Sequence, residues 1–227
     1  MVQATGPALW SFLVIVVVCW GIGAGSAAAI SAPANRARNG VLAFAGLVAW
    51  TLVQSIPIYM GWVTQENAIP GAPLQMGVMF AVIFAVILSP VGRRLATTLP
   101  LWLLVGAQGL RLPLELVLHA WAEQGVAPPQ MTWTGQNIDI IAGVVCLIAA
   151  PFAARSRAVA WASQVVGVVL LANVVRVVFL SLPTPMKQFD EPLLLAFQLP
   201  AQWIATVCVA GAVLFHGLTI RKLLTAE

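Results

Sequence analysis

Gln108, Arg111, Glu115 and His119 follow one another at intervals of three, four and four residues. That spacing gathers side chains on one face of an α-helix. A guanidinium, a carboxylate and an imidazole on one face could hold a ligand, exchange a proton, or pair with one another. Arg111 and Glu115 are placed to form an ion pair, which would offset part of the desolvation cost of each. Glu115 with His119 is an acid–base couple of the kind general catalysis uses. Pro113 lies between them and has no N–H to offer the carbonyl of Gly109, so a bend is expected there.

Further polar residues stand in otherwise apolar runs. Asn173 and Arg176 are three apart; Gln198, Gln202 and Thr206 recur at intervals of four beside Pro200; Thr51 and Gln54 precede Pro57. Thr132, Thr134, Gln136, Asn137 and Asp139 lead into another apolar run. These residues point to one site, with Arg111, Glu115, His119, Asn173 and Arg176 inside and Gln54, Asn137, Asp139, Gln198 and Gln202 completing it. Two arginines against one central carboxylate leave a positive excess, and the planar donors of Arg suit a carboxylate or phosphate. The expected ligand is a small polar or anionic molecule, or a lipid headgroup, that is bound or transported. One alternative is an intramembrane enzyme using Glu115 and His119. Another is a structural or assembly subunit in which the polar groups only fix helix register.

The elements that position these residues are set by composition. Of 227 residues, 61% are hydrophobic and 8% charged, with a mean hydropathy of +0.96. Soluble domains carry about 25% charged residues, so ordinary soluble enzymes and nucleic-acid binders are excluded. The expected fold is all-α, a single polytopic membrane bundle of seven transmembrane helices. They are placed at about 9–30, 41–61, 74–90, 99–120, 138–154, 160–181 and 192–218, each near the roughly 20 residues that cross a bilayer. The first is read as a retained helix, because it is longer than the apolar core of a signal peptide (about 7–15 residues) and nothing basic precedes Trp10.

With seven spans, Arg36, Arg38, Arg93, Arg94, Arg155, Arg157, Arg221 and Lys222 all fall on one side. Glu66, Glu123, Asp190 and Glu191 fall on the other, with Lys187. The positive-inside rule then puts the N-terminus outside and the C-terminus in the cytoplasm. Counting residues from the helix ends sends most of the polar groups to the outer leaflet, with Glu115 about 7.5 Å deep. The result is an outward-facing polar pocket, capped by residues 125–136. Gly21-x-x-x-Gly25 offers a smooth surface for close helix contact within the chain or for a homo-oligomer.

Several chemistries do not fit, and no cofactor or metal is expected. His119 and His216 fall near opposite ends of their helices and could not clamp one haem iron. No HExxH pair is present, and the last apolar run has no lysine for a retinal Schiff base. Cys19, Cys146 and Cys208 lie in apolar runs, as buried thiols rather than a disulfide framework.

Two resemblances follow from particular residues. Leu171-Ala-Asn173-Val-Val-Arg176 resembles a stretch of the exosortase and archaeosortase transpeptidases, which pair a cysteine with an arginine and a histidine. Cys146, Arg176 and His216 stand in that order, but Val145-Cys146-Leu147 lacks the small polar signature of the nucleophile. The pattern Arg111-x-Pro113-x-Glu115-x-x-x-His119, then Pro128, Met131-Thr132 and Gly135-x-Asn137-x-Asp139, is similar to a group of small multi-pass bacterial proteins. That likeness implies a bacterial inner-membrane location and a multi-helix architecture, and it names no activity.

Overall fold

The computed structural model describes residues 3–225, which form helices and turns without strands. In chain order the helices are α1 (Gly6–Ala29), α2 (Arg36–Tyr59), α3 (Ala68–Leu88), α4 (Pro90–Thr98) and α5 (Leu101–Gly106), then α6 (Arg111–Glu123), α7 (Ile140–Ala153), α8 (Arg157–Ser181) and α9 (Ala210–Thr225). Among the described residues, six helical stretches are long and apolar enough to cross a membrane: Gly6–Ala29, Pro33–Tyr59, Ala68–Leu88, Leu101–Glu123, Arg157–Ser181 and Ile204–Thr225. The chain is an integral membrane protein. The fifth expected span, at 138–154, is α7, which has 14 residues; at 1.5 Å per residue it is about 21 Å long, short of a hydrocarbon core of about 30 Å.

Proline explains where the expected boundaries fail. The run at 192–218 is not helical from its start: residues 192–202 are irregular chain and turns, including a 3₁₀ turn at Leu195–Phe197. A π-helical segment at Ile204–Val209 then leads into α9, which runs on to Thr225. Pro192 and Pro200 each remove a backbone donor that a continuous helix would need. The expected span at 99–120 is three pieces, α5, a 3₁₀ segment at Ala107–Leu110, and α6. With no N–H at Pro113, the chain winds tighter just before it. Pro113 then sits in the first turn of α6, where backbone donors have no helical acceptor anyway. The α3 helix begins at Ala68 instead of residue 74, with Ile69 extended (φ −107°, ψ 132°) because it precedes Pro70.

Side-chain contacts sort the two ends of the bundle. Ile30, at the end of α1, packs on the cluster of Leu95, Leu99, Phe215 and Leu218. Lys222 Nζ donates to the carbonyls of Ala96, Thr97 and Leu99 at 2.8–3.0 Å. Arg221 donates to Ile87 and Ser89, and Arg157 to Leu223. The eight basic residues of the connections and of the last helical turn therefore gather at one end, where cations satisfy carbonyls left free at helix termini. At the other end Thr5 N donates to Gln124 Oε1, and Phe12 meets Trp121 edge-to-face at 5.1 Å.

Residues 124–139 do not cap the bundle as expected; they enter it. Val126, Ala127, Gln130, Met131, Thr132 and Asn137 are all buried. Gln130 Nε2 ties the segment to Ser181 Oγ (3.3 Å) and to the carbonyl of Glu191 (2.6 Å). A Cβ at Gly143 would lie 2.4 Å from the backbone N of Leu112, so glycine is what lets α7 lie against α6. Gly21 and Gly25 have nothing within 4 Å of an added Cβ; α1 meets α2 at Gly23 and Gly40 instead.

Gly143→Ala is expected to cost about 1–3 kcal/mol, because a backbone must move to admit the methyl group. Gly25→Ala is expected to be neutral or to stabilise by up to about 1 kcal/mol through helix propensity. Thermal unfolding of the two variants in one detergent checks this contrast.

Candidate functional site

Arg111 begins α6, and its buried side chain points at Asp139, the residue before α7. Nε and Nη2 both donate to the Asp139 carboxylate in a forked pair, the arrangement in which a guanidinium and a carboxylate bind best. Arg111 Nη1 donates to the carbonyl of Gly167 at 2.9 Å and lies 3.3 Å from His216 Nε2. A guanidinium has donors only, so His216 Nε2 must accept. The imidazole proton is thereby assigned to Nδ1, which donates to Gln164 Oε1 at 2.6 Å. A Cβ at Gly167 would stand 2.4 Å from His216 Cε1; the glycine makes room for the ring. One side chain thus joins α6, α7, α8 and α9.

Glu115, one turn along α6, is tied to the same network. Its Oε1 accepts from Asn137 Nδ2 at 2.8 Å; Asn137 Nδ2 also donates to the Met131 carbonyl, and Asn137 Oδ1 accepts from Asp139 N. Asn137 is fully buried and holds the two acidic residues in register. Glu115 Oε2 has no hydrogen-bond partner, and neither have Gln202 Oε1 and Thr206 Oγ1. Glu115, Gln202 and Thr206 line one cavity of about 100 Å³, together with Arg111, Asp139 and Gln75.

The expected single compartment is divided. Arg111 pairs with Asp139 and not with Glu115, because Asp139 meets the guanidinium fork with both oxygens. The balance of groups reverses accordingly: one guanidinium shares the neighbourhood with two carboxyl groups, of which Asp139 pairs with it. His119 is part-exposed, stacks on Trp133 at a centroid distance of 4.1 Å, and has Nε2 4.0 Å from Glu123. Glu115 and His119 therefore hold separate partners. Arg176 is exposed and binds Asn173 Oδ1 (3.1 Å) and Gln136 Oε1 (3.5 Å), while Asn173 Nδ2 donates to the Gln136 carbonyl. Those three make a second, surface cluster. Gln54 is buried and accepts Gln75 Nε2 at its backbone carbonyl. Gln198 is half-buried, and its carbonyl accepts from Gln202 N.

Depth is the second correction. The stretch holding Arg111 and Glu115 ends at Glu123, so these residues lie about 18 Å and 12 Å from that end. Arg111 thus lies near the middle of that stretch, and Glu115 lies deeper than a count from residue 120 gives. His216, expected near an interface, is buried beside Arg111. The last helix extends to Thr225, which puts His216 about 13.5 Å from its end. Arg221 and Lys222 were the sequence signal for that later terminus. Of the order Cys146, Arg176 and His216, Cys146 is buried with Val105 and Ala149. Arg176 holds Asn173, and His216 holds Gln164.

No protein-family model, curated protein or solved structure matches the chain.

Asp139→Asn is expected to destabilise the protein by about 3–5 kcal/mol, since it leaves a buried guanidinium uncompensated. Arg111→Met combined with Asp139→Leu is expected to recover most of that loss. Thermal unfolding in detergent measures both; a double variant no better than Asp139→Asn contradicts the pairing.

Proposed function

We propose that this chain binds a small polar molecule, one that brings hydrogen-bond donors, in the cavity beside Glu115. The supporting observation is the set of three buried oxygens without partners, Glu115 Oε2, Gln202 Oε1 and Thr206 Oγ1, on residues that line one cavity. An unsatisfied buried polar group costs about 1–3 kcal/mol, and more when charged. A hydroxyl, amide or amine compound would relieve several of these costs at once. Asp139 already neutralises Arg111, so an anion would meet Glu115 without a free cation to hold it. The donor-bearing class therefore replaces the anionic one expected from the two arginines. Binding is favoured over an acid–base reaction because Glu115 and His119 have different partners. It is favoured over a purely structural network because such a network would have no reason to leave those oxygens unpaired.

The setting belongs to the same proposal. The protein lies in a bacterial inner membrane with its basic end in the cytoplasm, as the positive-inside rule directs. The buried segment at 124–139 together with α7 makes the fifth of seven crossings, and the N-terminus is outside.

The test is thermal stabilisation by a panel of small amines, polyols and amides against matched carboxylates and inorganic phosphate. A binder at a hundredfold excess over its Kd should add about 2.7 kcal/mol. The expected result is stabilisation by a donor-bearing compound that is lost in Glu115→Gln. Stabilisation by the anions, or an equal effect on the variant, contradicts the reading.

A further inference from the structure

A second cavity of about 270 Å³ lies between the α1–α2 hairpin, α3 and the last helix. Its walls are apolar over most of their extent, with Trp20, Leu47, Trp50, Val82 and Phe215 prominent. The polar atoms of that stretch are spent within the protein: Trp20 Nε1 donates to Thr51 Oγ1, and Thr51 Oγ1 to the Leu47 carbonyl. Val82 is 41% exposed, so the outer surface of α3 is also part of the cavity wall. In a membrane-spanning helix that surface faces lipid.

One end of the cavity is different. Gln108, 1% exposed, also lines it. Its Nε2 is fixed by donating to the Ala212 carbonyl at 3.1 Å, and its Oε1 has no partner. Thr206 lines the same space with an unpartnered hydroxyl. Apolar cavities of about 150 Å³ stay dry and take up hydrocarbon such as benzene; one nearly twice that size beside acyl chains will do the same. The Gln108 acceptor, with the Thr206 hydroxyl in the same space, calls for an uncharged donor, because a phosphate or carboxylate carried to this depth would be costly to desolvate.

We propose that this cavity binds a single-chain lipid alcohol, with the hydroxyl donating to Gln108 Oε1 and the hydrocarbon chain running out past Val82 to the bilayer. Gln108, Leu47 and Val82 do not line the cavity beside Glu115, so the two sites can be tested separately although Arg111 and Thr206 border both.

The test uses the full chain in nanodiscs with a 16-carbon alcohol carrying a diazirine near the middle of its chain, photolysed and mapped to single residues by mass spectrometry. Label is expected on the side chains of Leu47 and Val82 themselves. Unlabelled hexadecanol should compete roughly tenfold better than hexadecane, the worth of one hydrogen bond. Gln108→Leu should abolish that preference, and Ile83→Trp, which fills the cavity, should abolish the labelling. Glu115→Gln should leave it unchanged. Label confined to the lipid-facing residues Val41, Leu42 and Val53 overturns the proposal, as does competition by hexadecane or palmitate equal to that by hexadecanol. The competition needs no variant, so it decides even if Ile83→Trp fails to fold.

Discussion

An arginine in the middle of a membrane bundle must be paired, and the pairing of Arg111 with Asp139 governs much of what surrounds it. A single charge at that depth costs at least about 2.5–3.5 kcal/mol. Meeting it with a carboxylate fixes where α7 can begin, since Asp139 immediately precedes that helix. The chain leaving α6 must then return to mid-depth before α7 starts, so residues 124–139 are drawn into the bundle. The remaining guanidinium donor reaches Gly167 and His216, which positions α8 and the last helix. Glycines at 143 and 167 permit the close approach of α7 to α6 and of His216 to α8.

The same pairing determines the chemistry left over. With Arg111 satisfied, the unpaired atoms lining the two cavities beside it are oxygens: Glu115 Oε2, Gln202 Oε1, Thr206 Oγ1 and Gln108 Oε1. Two cavities flank these groups, and Thr206, in the π-helical segment Ile204–Val209, lines both. Short π-helical insertions occur often at functional sites, where they re-aim side chains that a regular helix would bury against its neighbour. The smaller cavity has a carboxylate at its wall and suits a polar molecule. The larger one is apolar, reaches the lipid face, and ends in an amide oxygen.

The membrane class, the helical fold and the grouping of basic residues were legible because each is a property of composition or of periodic spacing. So was the membership of Arg111, Glu115, Asn137, Asp139 and Gln202 in one buried neighbourhood, since polar groups in apolar runs must find an interior. Their pairing was not legible. Intervals of four suggested Arg111 with Glu115, whereas a carboxylate at the start of another helix offers the fork a better geometry. His216 was assigned to an interface because the last helix was ended seven residues early. Arg176 and His119 were drawn inward by their helical spacing, but each lies toward the end of its helix and has surface partners. The broken run at 192–202 could have been read from Pro192 and Pro200, which a hydropathy count passes over.

The most direct test is a solid-state NMR measurement of whether the Arg111 guanidinium faces Asp139. The chain has two aspartates, Asp139 and Asp190, so in an Asp190→Asn background carboxyl-labelled aspartate reports on Asp139 alone. Strong dipolar dephasing between that carboxyl carbon and a guanidinium nitrogen is the expected result in lipid bilayers. No dephasing there, with dephasing instead from labelled glutamate, would mean that Arg111 pairs along its own helix, and the mid-bundle network would be wrong.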